Sequence, residues 1–160
     1  MPWLSLRPTW IDELALRIEA DTKGTFREKG APMASRFTEL VVDGHDTRGL
    51  AEFWCDVLGY RIIDEDKDVI EIGTAELTAE EVVSGPVPPT IVFVPVPEGK
   101  AVKNRLHIDV SPIDRDPPEE VERLIGLGAR PVDIGQGDVP WTVLADPEGN
   151  EFCVLRRLGQ

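Results

Sequence analysis

From residue 36 onward, short stretches with apolar residues at every second position alternate with longer ones where they recur every three to four. These are the signatures of half-buried strands and amphipathic helices. Phe37 to Val42 reads as a strand that leads through Asp43-Gly44-His45-Asp46 into a helix carrying Leu50, Phe53, Trp54, Val57 and Leu58, with Gly59 as its stop. Strands at Tyr60 to Asp64 and Val69 to Ile72 follow, joined by the polar turn Glu65-Asp66-Lys67-Asp68. The acidic stretch Thr74 to Gly85 has room for one helical turn from Thr78, and Thr90 to Val94 is a fourth strand ended by Pro95 and Pro97.

The same order then recurs. Arg105 to Val110 reads as a strand, and Asp116-Pro117-Pro118-Glu119 as a helix start with proline at the first position. Val121, Leu124, Ile125 and Leu127 share one face of that helix, and Gly128 ends it. Pro131 to Ile134, Trp141 to Ala145 and Glu151 to Leu155 are three further strands. Glu39 to Asp46 and His107 to Asp114 are both seven residues, while Asp46 to Gly59 is thirteen and Asp114 to Gly128 fourteen. The spacing implies a tandem duplication, with Glu39 as the counterpart of His107.

The predicted fold class is therefore α+β. Two tandem βαβββ modules, about 36–97 and 104–157, would form a curved, incompletely closed mixed sheet with helices outside. Residues 1–35 stand apart as an N-terminal helix and linker extension. Trp10, Ile11, Leu14, Ala15 and Ile18 fall at helical spacing behind a capping Thr9, and Asp21 to Ser35 dissolves into charged and small residues. No chemistry is assigned to them.

Charge narrows the partners. Thirty acidic against seventeen basic residues give a formal charge of −13, which repels nucleic acid and anionic membrane. Neither is expected as a partner. Cys55 and Cys153 lie on unrelated elements with no secretory signal, a pattern of reduced thiols in a cytoplasmic protein, and no apolar run is long enough to span a bilayer.

The candidate chemistry centres on Asn104 to Val110. Leu106, Ile108 and Val110 alternate with His107 and Asp109, so the apolar three should pack inward while His107 and Asp109 face a pocket together. Glu39, Asp43, Glu151 and Cys153 extend that polar set, with Trp141 and Trp54 as nearby aromatics. Such a cleft would suit a polar or cationic aromatic compound. Plainer readings stand beside it: Asp43 or Asp109 could pair with Arg105 or another strand-end arginine, Cys153 could be a small buried hydrophobe, and His45 an exposed helix-start residue.

Three stretches resemble a known family: Leu50-Ala51-Glu52-Phe53-Trp54-Cys55-Asp56-Val57-Leu58-Gly59, the run Asn104 to Val110, and Asp146-Pro147-Glu148-Gly149-Asn150-Glu151-Phe152. Over residues 36–157 the chain resembles the vicinal oxygen chelate superfamily, which holds glyoxalase I, extradiol dioxygenases and bleomycin-resistance proteins. It looks most like the small bacterial glyoxalase-like subgroup. The resemblance implies ligand positions for a divalent metal (Zn, Ni, Mn or Fe), which fall on Glu39 and His107, with Glu151 as a substitute where the family's final glutamate is replaced by Cys153. Nothing in Ile91-Val92-Phe93-Val94 can coordinate a cation at the remaining position, so a metal-free pocket is the preferred reading.

Two functions follow from the resemblance. One is a metal-dependent lyase, isomerase or dioxygenase using Glu39, His107 and Glu151. The other is a metal-free, drug-sequestering protein of the bleomycin-resistance kind. Either would bind a small oxygenated or aromatic molecule in a cleft between modules, through His107, Glu39, Asp109, Asp43, Trp141 and Cys153, in a homodimer.

Overall fold

The structure is a computed structural model that describes residues 37–84 and 86–158; the helix expected at Thr9 to Ile18 lies outside the described residues. The first module runs β1 (Glu39–Gly44), α1 (Thr47–Leu58), β2 (Arg61–Asp66), β3 (Val69–Gly73), α2 (Ala79–Ser84) and β4 (Thr90–Pro95). Its sheet has the order β1-β4-β3-β2, with β1 parallel to β4 and the other pairs antiparallel. The second module runs β5 (Asp109–Val110), α3 (Pro117–Gly126), β6 (Arg130–Pro131), β7 (Thr142–Ala145) and β8 (Glu151–Val154), in the order β5-β8-β7-β6. The fold is thus α+β, with two four-stranded mixed sheets of the same topology, neither closed.

Local chemistry explains where the helices begin and end. The Asp46 carboxylate accepts the Gly49 N–H at 2.8 Å and opens α1, and Gly59 closes it in the left-handed region at φ 68°. Asp116 and Glu119 form a reciprocal capping box ahead of Pro117 in α3. A similar exchange between Thr78 and Glu81 opens α2.

One hydrophobic core serves both modules. Leu50, Phe53 and Trp54 of α1 pack with Ile70, Ile72 and Phe93 of the first sheet and with Leu124, Leu144, Phe152 and Val154 of the second module. Phe152 meets the rings of Trp54 and Phe53 edge-on, with centroids at 5.2 and 6.0 Å. Trp54 is therefore a core residue rather than a pocket aromatic, and its Nε1–H donates to Asp146 Oδ2 at 3.2 Å.

Two strands are shorter than the alternation predicts. Only Asp109 and Val110 of the run from Arg105 are in β5, and Leu106 is 81% exposed instead of packed inward. The cause is Asn104, whose backbone N–H and side-chain amide are held by Glu151 and Asn150, so that the chain bends at 105–106 before it joins β8. The strand expected at Pro131 to Ile134 stops at Pro131, because the N–H groups of Ile134 and Gly135 are taken by the side chains of Gln136 and Asp133.

Candidate functional site

β5 and β8 run parallel with Asp109 directly beside Cys153. Ile108, Val110, Phe152 and Val154 all join the core, so alternation sends His107, Asp109 and Cys153 out through the opposite face. There an imidazole, a carboxylate and a thiol bring ligand atoms within 4.8 Å of one another, the first two residues exposed and the third buried. These three line a cavity of about 800 Å³ together with Trp141, Leu155, Arg156 and Arg157. Burial, and then the neighbouring Asp109 carboxylate, push the Cys153 thiol up to about 11. At neutral pH it is a protonated thiol and a poor nucleophile.

Glu151 lies two residues before Cys153 on the same strand face, yet its carboxylate is already engaged. Oε1 accepts from Lys100 Nζ at 2.8 Å and Oε2 from the Asn104 N–H at 3.0 Å. Burial alone would raise its carboxyl, but the bonds from Lys100 and Asn104 outweigh it and hold the group below the ordinary glutamate range. Glu151 is thus the clamp that fixes the segment leading to His107. A carboxyl depressed in the fold contributes stability above its unfolded pKa and loses it as pH falls through the folded value. Wild-type stability should therefore drop on acidification from the ordinary glutamate range downward. Glu151→Gln should be less stable at neutral pH and show a flatter acid limb in urea titrations.

Of the residues singled out in the sequence, His107, Asp109, Trp141 and Cys153 meet in one cavity. Glu39 and Asp43 do not join them. Glu39 lines a separate cavity of about 260 Å³ on the first module's sheet, with Asp64 and Glu71, and Asp43 lines a third of about 190 Å³ beside Lys100 and Glu148. β1 and β5 belong to different sheets, and residues equivalent by duplication line different cavities. Among the described residues the only converging metal-type set is His107, Asp109 and Cys153; of the expected Glu39, His107 and Glu151 it contains His107 alone. Neither Asp43 nor Asp109 forms an ion pair with an arginine among the described residues. Arg156 and Arg157 line the same cavity and were not singled out in the sequence, where they stand as a basic pair shortly after the last strand.

A family model described as a glyoxalase-like domain matches residues 39–155. The chain belongs to the glyoxalase-like domain family. No curated protein matches it in sequence. Among solved structures it is similar to the fosfomycin resistance protein FosX from Mesorhizobium loti, at 12% identity over 79% of this chain and 96% of that one, with a TM-score of 0.54. FosX from Listeria monocytogenes gives 15% identity over 78% and 92%, with a TM-score of 0.54. The trypanothione-dependent glyoxalase I of Leishmania major gives 12% over 77% and 87%, with a TM-score of 0.50. At these identities the likeness is one of fold.

In this glyoxalase-like domain the match stops at residue 155, so Arg156 and Arg157 lie beyond it. In chemical type the donor set at the cavity fits a divalent ion: nitrogen, oxygen and sulfur ligands within 4.8 Å of one another suit zinc-type cations better than hard, all-oxygen ones. No described helix is long and apolar enough to cross a membrane.

Proposed function

We propose that this glyoxalase-like protein binds a small oxygenated or aromatic organic molecule in the cavity on the outer face of β5 and β8. The observation that carries this reading is the meeting of a half-open tryptophan face, Trp141, with the polar set His107, Asp109 and Cys153 in one cavity of about 800 Å³. That is the size and composition of a pocket for a drug-sized ligand: an apolar wall for area, a few polar groups for orientation. Without a metal, the protein would act by sequestering its ligand. His107 would donate or accept a hydrogen bond at a ligand oxygen, and Asp109 would hold a ligand hydroxyl or amine.

A screen of small aromatic and oxygenated compounds by thermal shift and tryptophan fluorescence tests this. Hits should weaken in both Trp141→Ala and His107→Ala, and silence at millimolar ligand would overturn the proposal.

The convergence of His107, Asp109 and Cys153 supports a second reading, a metal-dependent lyase, isomerase or dioxygenase. Those three residues would hold the ion, which when bound would polarise adjacent oxygens of a substrate. Elemental analysis of protein purified without chelator decides between the two, with His107→Ala as the blank: stoichiometric metal lost in the variant favours the second.

We also propose a cytoplasmic homodimer. Phe37 and Val41, just before and within β1, are large apolar side chains left exposed on the first module, away from the His107 cavity, and a second copy would cover them. Light scattering at micromolar concentration tests it, and a monomer there would reject it.

A further inference from the structure

Resting on the binding cavity just proposed, we infer that its ligand is an organic anion, an apolar body carrying a carboxylate or a related acid group, and that Arg156 and Arg157 are the specificity-determining residues. The cavity departs from the charge of the chain around it. The protein as a whole carries −13. The cavity on the first module's sheet is lined by Glu39, Asp64, Glu71 and Glu76 with no base, and the one beside the loop after β6 by Asp133 and Asp138 with no base. At the His107 cavity the balance reverses, with two arginines against the single carboxylate of Asp109.

These guanidinium groups are available. Arg156 has no ion pair or hydrogen-bond partner among the described residues. Arg157 reaches one acid, Asp116, at 3.8 Å, a contact too long for a hydrogen bond. Asp109 does not neutralise them, forming no ion pair with either; its carboxylate sits with the Cys153 thiol and the His107 imidazole. Both arginines follow β8 after Leu155, whose N–H donates to the Val110 carbonyl, so pairing with β5 fixes where their backbone leaves the sheet.

The rest of the lining suits the body of such a ligand. Trp141 is 41% exposed, and Leu155 and Leu158 add apolar wall. A guanidinium fork grips a carboxylate or phosphonate with two parallel hydrogen bonds, which an amide or ammonium cannot reproduce. The polar set at His107 then lies free to meet a second oxygenated group. This reverses the cationic preference that the carboxylates alone suggest in the sequence.

Calorimetric titration of the full chain with naphthoate, naphthamide and naphthylmethylamine, one apolar body with three charges, tests the inference. Naphthoate should bind about ten-fold or more tighter than either of the others. The double variant Arg156→Gln/Arg157→Gln should erase that preference, bringing naphthoate down to the affinity of naphthamide. Arg61→Gln, on the first module, should keep the preference. Equal or tighter binding of naphthamide or the amine, or a preference that survives the double variant, overturns the anion assignment and leaves the cavity standing. Binding of none of the three at millimolar concentration overturns the cavity with it.

Discussion

Asp146→Ala is expected to destabilise the protein by about 3 to 5 kcal/mol, the cost of leaving one buried and three half-buried donors without their acceptor. Asp146 is fully buried and accepts from the N–H groups of Asn150 at 2.8 Å and Glu148 at 3.1 Å, from Asn150 Nδ2 at 3.0 Å, and from Trp54 Nε1 at 3.2 Å. The first three close the turn into β8 and the last ties that turn to α1 of the other module. Alanine removes every acceptor at once and leaves the Trp54 N–H stranded in the core. Urea unfolding measures it, and a loss under about 1 kcal/mol would show that the turn holds without its carboxylate. Ligand binding should fall too, because Asn150 also holds Asn104, which positions His107.

The pH dependence of Asp146 runs opposite to that of Glu151. Burial raises its carboxyl, opposed by the hydrogen bonds from Asn150, Trp54 and Glu148. A carboxyl raised in the fold contributes most below its unfolded pKa, and that contribution declines as pH climbs to the folded value. Asp146→Asn should remove this decline while retaining part of the network through its amide oxygen. Stability profiles of Asp146→Asn and Glu151→Gln should therefore deviate from wild type in opposite senses across the acid range.

What the sequence disclosed and what it withheld have separate physical causes. Module order, helix caps and the face of α1 are set by neighbours in the chain: Asp46 and Gly49, Asp116 and Glu119, Gly59 at its positive φ. The pairing of His107 with Asp109 came from strand alternation, and the parallel register then set Cys153 beside them. The role of Glu151 could not be read the same way. Its partner Lys100 is 51 residues away and enters from the linker between modules, so no local pattern shows that this carboxylate also ties down Lys100 and the Asn104 N–H. Trp54 was misplaced for a similar reason: a tryptophan at helical spacing does not announce that its N–H is answered from a turn 92 residues on. Glu39 lines a cavity apart from that of His107, because duplication preserves place within a module and says nothing of how two modules face each other.

That mutual facing makes Phe152→Ala the other large effect, about 4 kcal/mol. Phe152 is 1% exposed in β8, and both of its aromatic partners, Phe53 and Trp54, belong to α1 of the first module. Removing the ring costs its own burial and opens a void that spans the seam between modules, where two separately formed sheets can relax apart more easily than a single one can collapse. The loss should therefore show in cooperativity as well as in midpoint. Wild type, with one shared core, should unfold in a single urea transition seen alike by tryptophan fluorescence and far-ultraviolet circular dichroism. In Phe152→Ala the two probes should separate, with the short-stranded second module melting first and the first module retaining the longer ladders of β2, β3 and β4. Coincident transitions in the variant would mean that the modules are coupled mainly by Asp146 and Trp54, and the double variant Phe152→Ala/Asp146→Asn would then be the one to split them.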